Sequence, residues 1–422
     1  MLKERLLKIR KTLRKVVTSL LSETGIPETE RALDVVCKSN DLMVEFAEVV
    51  MKESLNFIGC ETLPCHFEAV GIGSLARGEA TPYSDIEYLF LIEDMRHRKY
   101  FERLAVMTYF LIGGLNETKL NSLAISELNG DESKAIESGW YVDGRKLGYQ
   151  IDGITSTSDY VPTRAKASEA TGGCIVTPDE LIRYYAAVLK SPNDKESIRG
   201  DVTSMLTFTR LLYSSPFQRD QHSHDQSNCE GTLLGKFSDA RASLSKKKSG
   251  DRIAANFRML SADIAKIGFH PEYDPYAPGF SMRLKTEFYR FPSIILLDLA
   301  TEMEAIGNDS WGTLGIIMQQ HSERTFAELL RKVLAFACFS RLQCYLAMDS
   351  HSDQVNLKCT PGTSGLGDNQ ALGFDSEKSW GMEIDMFLQL STDLIFLQLN
   401  MKRSQESSHL VDIADMTKLM KI

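Results

Sequence analysis

Apolar residues recur every three or four positions through the first 59 residues, at Val16, Leu20, Leu33, Val36, Leu42, Val44, Phe46 and Val49, which predicts an N-terminal helical lead-in. Its first part sets Lys3, Arg5, Lys8, Arg10, Lys11, Arg14 and Lys15 among Leu2, Leu6, Ile9, Leu13 and Val16 at helical spacing. Such a basic amphipathic helix fits an anionic membrane, an organellar presequence, or packing on its own protein with the cations in water; the last is the commonplace arrangement. The period then changes. Residues 65–73 are short, partly alternating and end in glycine, as a strand entering a tight turn does. Asp85-Ile86-Glu87-Tyr88-Leu89-Phe90-Leu91-Ile92 is rich in β-branched and aromatic residues at ordinary strand length and predicts a central strand. Helical spacing resumes over 97–115, and 148–154 offers a further short strand.

From Asp179 onward the periodic segments read as helical: 179–190, 201–213, 251–267, 282–306, 322–348 and 382–400. Polar stretches at 218–229 and 350–376 read as loops or linkers. The expected architecture is therefore α+β: a helical lead-in over 1–59, a small mixed sheet flanked by helices over 60–175, and an all-α helical domain over 176–422. A chain of 422 residues suits two domains.

A hydrophobic fraction of 43% and a charged fraction of 25% match an ordinary globular protein. The net charge of −9 disfavours general nucleic-acid binding unless charge is locally segregated. Eight scattered cysteines without a C-x-x-C pair read as reduced thiols of a cytoplasmic protein. The most apolar stretches are broken by Arg331, Lys332, Arg341 and Asp393, so no membrane span is expected. His222, His224, Asp225 and Cys229 share a polar loop and read as loop residues before they read as zinc ligands, and Lys246-Lys247-Lys248 reads as a solvated turn.

Candidate chemistry lies in the run from Gly71 to Glu87. A strand ending in Gly73-Ser74 and leading into a short helix directs backbone N–H groups and a hydroxyl at one spot suited to phosphate oxygens, with Gly73 permitting close approach. Asp85 and Glu87, two apart on the expected strand, project from one face, where a carboxylate pair holds Mg²⁺. Two such ions stabilise the attacking and leaving oxygens of a phosphoryl displacement. Arg77 either contacts phosphate or pairs with Glu79, which reads as structural.

The string Gly73-Ser74, Arg77-Gly78-Glu79, Ser84-Asp85-Ile86-Glu87 resembles the polymerase-β-type nucleotidyltransferase superfamily. It is most similar to a nucleotidyltransferase family allied to the N-terminal domain of PII-protein uridylyltransferases. The resemblance extends weakly over residues 40–350 and strongly only over 71–93. It implies a third acidic residue on a neighbouring strand, for which Asp152 is the candidate, although Asp152 before Gly153 also reads as a turn residue. Lys285, Tyr289 and Arg290 are similar to a Lys-x-x-x-Tyr-Arg segment of the family's helical domain, where Lys285 or Arg290 would reach the nucleotide. Glu87 stands where these uridylyltransferases usually have aspartate.

The resemblance implies transfer of a nucleoside monophosphate from UTP or ATP to an acceptor, with a protein side chain as the acceptor by analogy. Pyrophosphate leaves, Mg²⁺ or Mn²⁺ is held by Asp85, Glu87 and Asp152, and Gly73, Ser74, Arg77 and Lys285 bind the nucleotide. The alternatives are a catalytically weak nucleotide-binding or protein-interaction module of the same fold, and synthesis of an oligonucleotide messenger.

Overall fold

The computed structural model describes residues 1–24, 29–59, 63–84, 86–113, 175–183, 207–215, 232–245, 280–302, 307–320, 324–348 and 354–357. The architecture is mixed α+β, mostly helical, with a small four-stranded mixed sheet. The residues group into two compact units: Met1–Lys8 with Asn40–Arg252, and Ile9–Ser39 with Ile253–Ile422.

The expected helical lead-in is present as α1 (Leu2–Thr24) and α2 (Thr29–Ile58). On α1, Leu6, Ile9, Leu13 and Val17 are buried while Arg5, Lys8, Lys11, Arg14 and Lys15 stay in solvent, so the apolar stripe packs on the protein itself.

The sheet of the first unit is built on β1 (Phe67–Gly71) and continues, after the short helix α3 (Gly73–Ala76), with β2 (Tyr88–Ile92). Helix α4 (Arg98–Gly113) follows, then β3 (Ile175–Val176) and β4 (Arg210–Ser214). The order is β3-β2-β1-β4, with β1 antiparallel to β2 and β4 and β2 parallel to β3. Every residue of β1 and β2 is buried, which is why both strands read as nearly unbroken apolar runs.

Register pairs Phe67 with Ile92 and Ala69 with Phe90 on one face, and Glu68 with Leu91 and Val70 with Leu89 on the other. On the first face the Phe67 ring lies 5.9 Å from Phe90, 5.1 Å from Phe101 of α4 and 5.6 Å from Tyr213. Thr108 of α4 donates to Ser54 of α2 at 3.0 Å, so α2 backs this layer. On the second face lies α5 (Leu233–Ser245), whose Leu234 N–H donates to Glu68 Oε2 at 2.7 Å. Beyond β3, Thr177 and Glu180 form a reciprocal capping box that starts a helical turn at Pro178.

The second unit contains a two-stranded ribbon of β5 (Phe280–Arg283) and β6 (Gln354–Leu357), and a π-helical turn over Leu284–Tyr289. Its helices include α6 (Arg290–Glu302), α7 (Ser310–Gln320) and α8 (Arg324–Met348). Arg341 of α8, itself buried, stacks its guanidinium 3.8 Å from the centre of the Tyr289 ring. Arg331 binds the carboxylate of Glu30 through both Nη atoms, at 2.5 and 2.7 Å.

Three expectations are corrected. Residues 210–214 form the edge strand β4 rather than helix, because pairing with β1 outweighs a local pattern in which Leu211 and Leu212 sit side by side. The half after Asp179 is not all-α: β5 opens a segment expected to be helical, and β6 lies inside a stretch expected to be loop. Helices α5 and α7 were not foreseen. Among the described residues no helix is long and apolar enough to cross a membrane, and Cys37, Cys65, Cys338 and Cys344 are free thiols.

Phe67→Ala should cost about 3–5 kcal/mol in urea unfolding, since it empties the ring cluster joining β1, β2, β4 and α4. The Arg331 guanidinium holds the Glu30 carboxyl below the usual glutamate range. A depressed folded value means that this ion pair contributes stability above the ordinary glutamate range and loses it as pH falls through the lowered one. Solvent screens the pair to less than about 1 kcal/mol. Glu30→Gln should therefore lower the urea midpoint slightly at neutral pH, and the difference from wild type should vanish in strong acid.

Candidate functional site

The site begins where β1 stops. Ile72 is fully extended, Gly73 takes a positive φ of 63°, and the chain closes one helical turn in which the Arg77 N–H donates to the Gly73 carbonyl at 3.1 Å. Gly78, with φ of 79°, turns the chain again, and the Glu79 N–H returns to the Ser74 carbonyl at 2.9 Å. Glycine is the residue that adopts both conformations without strain.

The spacer is held by its own polar groups. Arg77 Nε donates to Glu79 Oε2 at 2.8 Å, and the Glu79 carboxylate is fully buried, which supports its structural reading. Asn40 of α2 accepts from the Ala80 N–H at 3.1 Å. The Ser84 N–H donates to the Thr81 carbonyl at 2.9 Å while Ser84 Oγ accepts from the Thr81 N–H at 2.9 Å, closing a turn over Thr81-Pro82-Tyr83-Ser84.

These contacts return the chain beside its starting point. The Ile72 N–H donates to the Glu87 carbonyl at 3.0 Å, one rung beyond the β1–β2 ladder. The Glu87 side chain lies directly over Gly73: a Cβ added to that glycine would sit 1.3 Å from Oε2 and 2.5 Å from the carboxyl carbon. Among the described residues from Phe67 to Ile92, only Ser74, Arg77, Ser84 and Glu87 are not buried. Among the described residues this closed segment thus opens to solvent through two hydroxyls, one guanidinium and one carboxylate.

Of the residues expected from the sequence, Gly73, Ser74, Arg77 and Glu87 are brought together here. Glu87 precedes β2, which starts at Tyr88, so the strand begins later than its pattern predicts. Asp85 and Asp152, with the strand expected at 148–154, lie outside the described residues, as do His222, His224, Asp225, Cys229 and Lys246-Lys247-Lys248. Lys285 belongs to the second unit, where it is half-buried in the π-helical turn.

Sequence reasoning passed over three residues around this segment. Asn40 lies on the buried stripe of α2, at helical spacing from Val36 and Met43, and a polar residue on such a stripe was the available signal. Arg210 pairs in register with Gly71 at the β1 terminus, and its side chain binds Asp41 at 3.1 Å. Glu68, a carboxylate inside an apolar strand, is fully buried: Oε2 accepts from α5, and Oε1 is 3.4 Å from His66 Nε2. Ser215 Oγ accepts from the Phe67 N–H at 3.1 Å and lies 2.8 Å from His66 Nδ1. These groups fix the start of β1, opposite the end that carries Gly73.

No protein-family model matches the chain, and no curated protein matches it at a significant level.

Gly73→Ala should destabilise the fold by about 1–3 kcal/mol, combining a strained backbone with expulsion of Glu87 from its place. Adding Glu87→Ala should recover the steric part and leave a residue of about 1–2 kcal/mol from the positive φ. Thermal unfolding of the two single variants and the double variant measures that coupling, and additive losses would show that the two residues do not touch.

Proposed function

We propose that the chain is a nucleotidyltransferase of the polymerase-β-type fold, moving a nucleoside monophosphate from UTP or ATP to an acceptor, with a protein side chain as the acceptor class and the cytoplasm as its compartment. The observation that carries this reading is the Glu87 carboxylate lying on the bare face of Gly73, next to Ser74, in a segment otherwise closed to solvent. A phosphate-approach turn and a hard anionic ligand at one opening are the two requirements of the chemistry.

Glu87 is a hard carboxylate of the kind Mg²⁺ or Mn²⁺ takes, and the resemblance adds Asp85 and Asp152 to the donor set, with phosphate oxygens of the nucleotide as the remaining ligands. When bound, the metal neutralises charge on the triphosphate and on the departing pyrophosphate. The chain's own groups do the rest. Gly73 admits the phosphate to the backbone, the Ser74 hydroxyl donates to a phosphate oxygen, and Arg77, steadied by Glu79, faces the same charge. The acceptor oxygen forms a bond to the α-phosphorus as the bond from that phosphorus to the bridging oxygen breaks, pyrophosphate leaves, and the acceptor proton passes to Asp152.

Purified protein incubated with Mg²⁺ or Mn²⁺, each α-³²P-labelled nucleoside triphosphate and cell extract should transfer label, and Asp85→Ala/Glu87→Ala should reduce it to background. Ser74→Ala should raise KM for the nucleotide about tenfold, the worth of one hydrogen bond to a charged oxygen. Nucleotide binding without turnover would turn the reading to the catalytically weak module that Glu87, in place of aspartate, also suits.

A further inference from the structure

The overall acidity of the chain hides one strongly basic surface. With the apolar stripe of α1 buried, its outer face presents Arg5, Lys8, Lys11 and Lys15, all exposed, in a row at spacings of three, three and four residues. The exposed hydroxyl residues Thr12 and Ser19 lie beside them. None of the four cations has an ion pair among the described residues; the one acid of the first turn, Glu4, meets the terminal ammonium at 3.5 Å. The solvent face of α2 is of mixed charge, with Glu30, Asp34, Asp41 and Glu45 exposed beside Arg31, Lys38 and Lys52. At a rise of 1.5 Å per residue, the α1 row spans roughly 15 Å, with a cation every ~5 Å.

We propose that this face of α1 docks a single-stranded polynucleotide through its phosphates. A linear row of cations matches a flexible polymer that carries one charge per unit, and the neighbouring hydroxyls supply the neutral donors common at phosphate contacts. A bilayer is the poorer partner because the stripe that would enter it, Leu6, Ile9, Leu13 and Val17, is already buried in the protein. The inference does not depend on the nucleotidyl-transfer reading and needs neither nucleotide nor metal.

The test is binding of fluorescein-labelled oligouridylate of twelve nucleotides to the full chain, followed by anisotropy across a salt series. Four contacts predict a slope of about −3 in log affinity against log salt, because each contact to a single strand contributes about −0.7. Lys8→Ala/Lys11→Ala/Lys15→Ala should reduce the slope to about −1 and weaken binding at low salt at least tenfold, whereas the same three positions changed to arginine should keep both. Circular dichroism shows whether the alanine variant remains folded, and the arginine variant tests the charge even if it does not. Oligouridylate binding that is absent, independent of salt, or unchanged in the alanine variant would overturn the proposal. So would binding to vesicles of anionic phospholipid without binding to oligouridylate.

Discussion

The hydrogen bond from the Ile72 N–H to the Glu87 carbonyl is a single rung, but the geometry of the whole candidate site follows from it. The fourteen residues between the two would otherwise be an ordinary excursion between β1 and β2. With the rung closed, Gly73 and Glu87 face one another, and only a residue without a side chain fits at the first position. The spacer then has little freedom. The Glu79 N–H, the Ala80 N–H and the Thr81–Ser84 turn each find a partner within the segment or on α2, as a buried backbone requires.

Electrostatics in this part of the molecule is arranged by depth. Two fully buried carboxylates, Glu68 and Glu79, each have a dedicated polar partner: the start of α5 for the first, Arg77 for the second. A polar group taken out of water needs such a partner. Glu87, by contrast, is only half-buried. The Cys65 thiol, pushed up by burial, is poorly suited to act as a nucleophile at neutral pH.

Legibility in the sequence followed the physics of each element. Strands β1 and β2 were readable because both are buried on both faces and one of them ends in glycine, leaving an apolar run with a clear stop. The Gly73–Ala76 turn was readable from Gly-Ser, and Glu87 from its spacing. The start of β2 was not, because Ile86 and Glu87 continue the strand composition although only one further rung extends the ladder. Strand β4 was hidden by its bulge, which breaks the two-residue period that identifies a strand. β5 and β6 have four residues each and depend on a partner some seventy positions away. Helices α5 and α7 owe their starts to caps, Thr232 with Glu68 and Asp309, more than to any apolar stripe.

The irregularity in β4 has a consequence for how the sheet meets its surroundings. Among the described residues β4 lies at one margin of the four strands, and unpaired peptide groups on such a margin invite a foreign chain to extend the ladder. The register shift opposite Ala69 and Val70 places an extra residue there, twisting the strand and interrupting the regular alternation of donors and acceptors. The exposed Leu211 at that point would otherwise make the margin sticky. A distortion that obscured the strand in the sequence thus guards the folded protein against growing, edge to edge, into an aggregate.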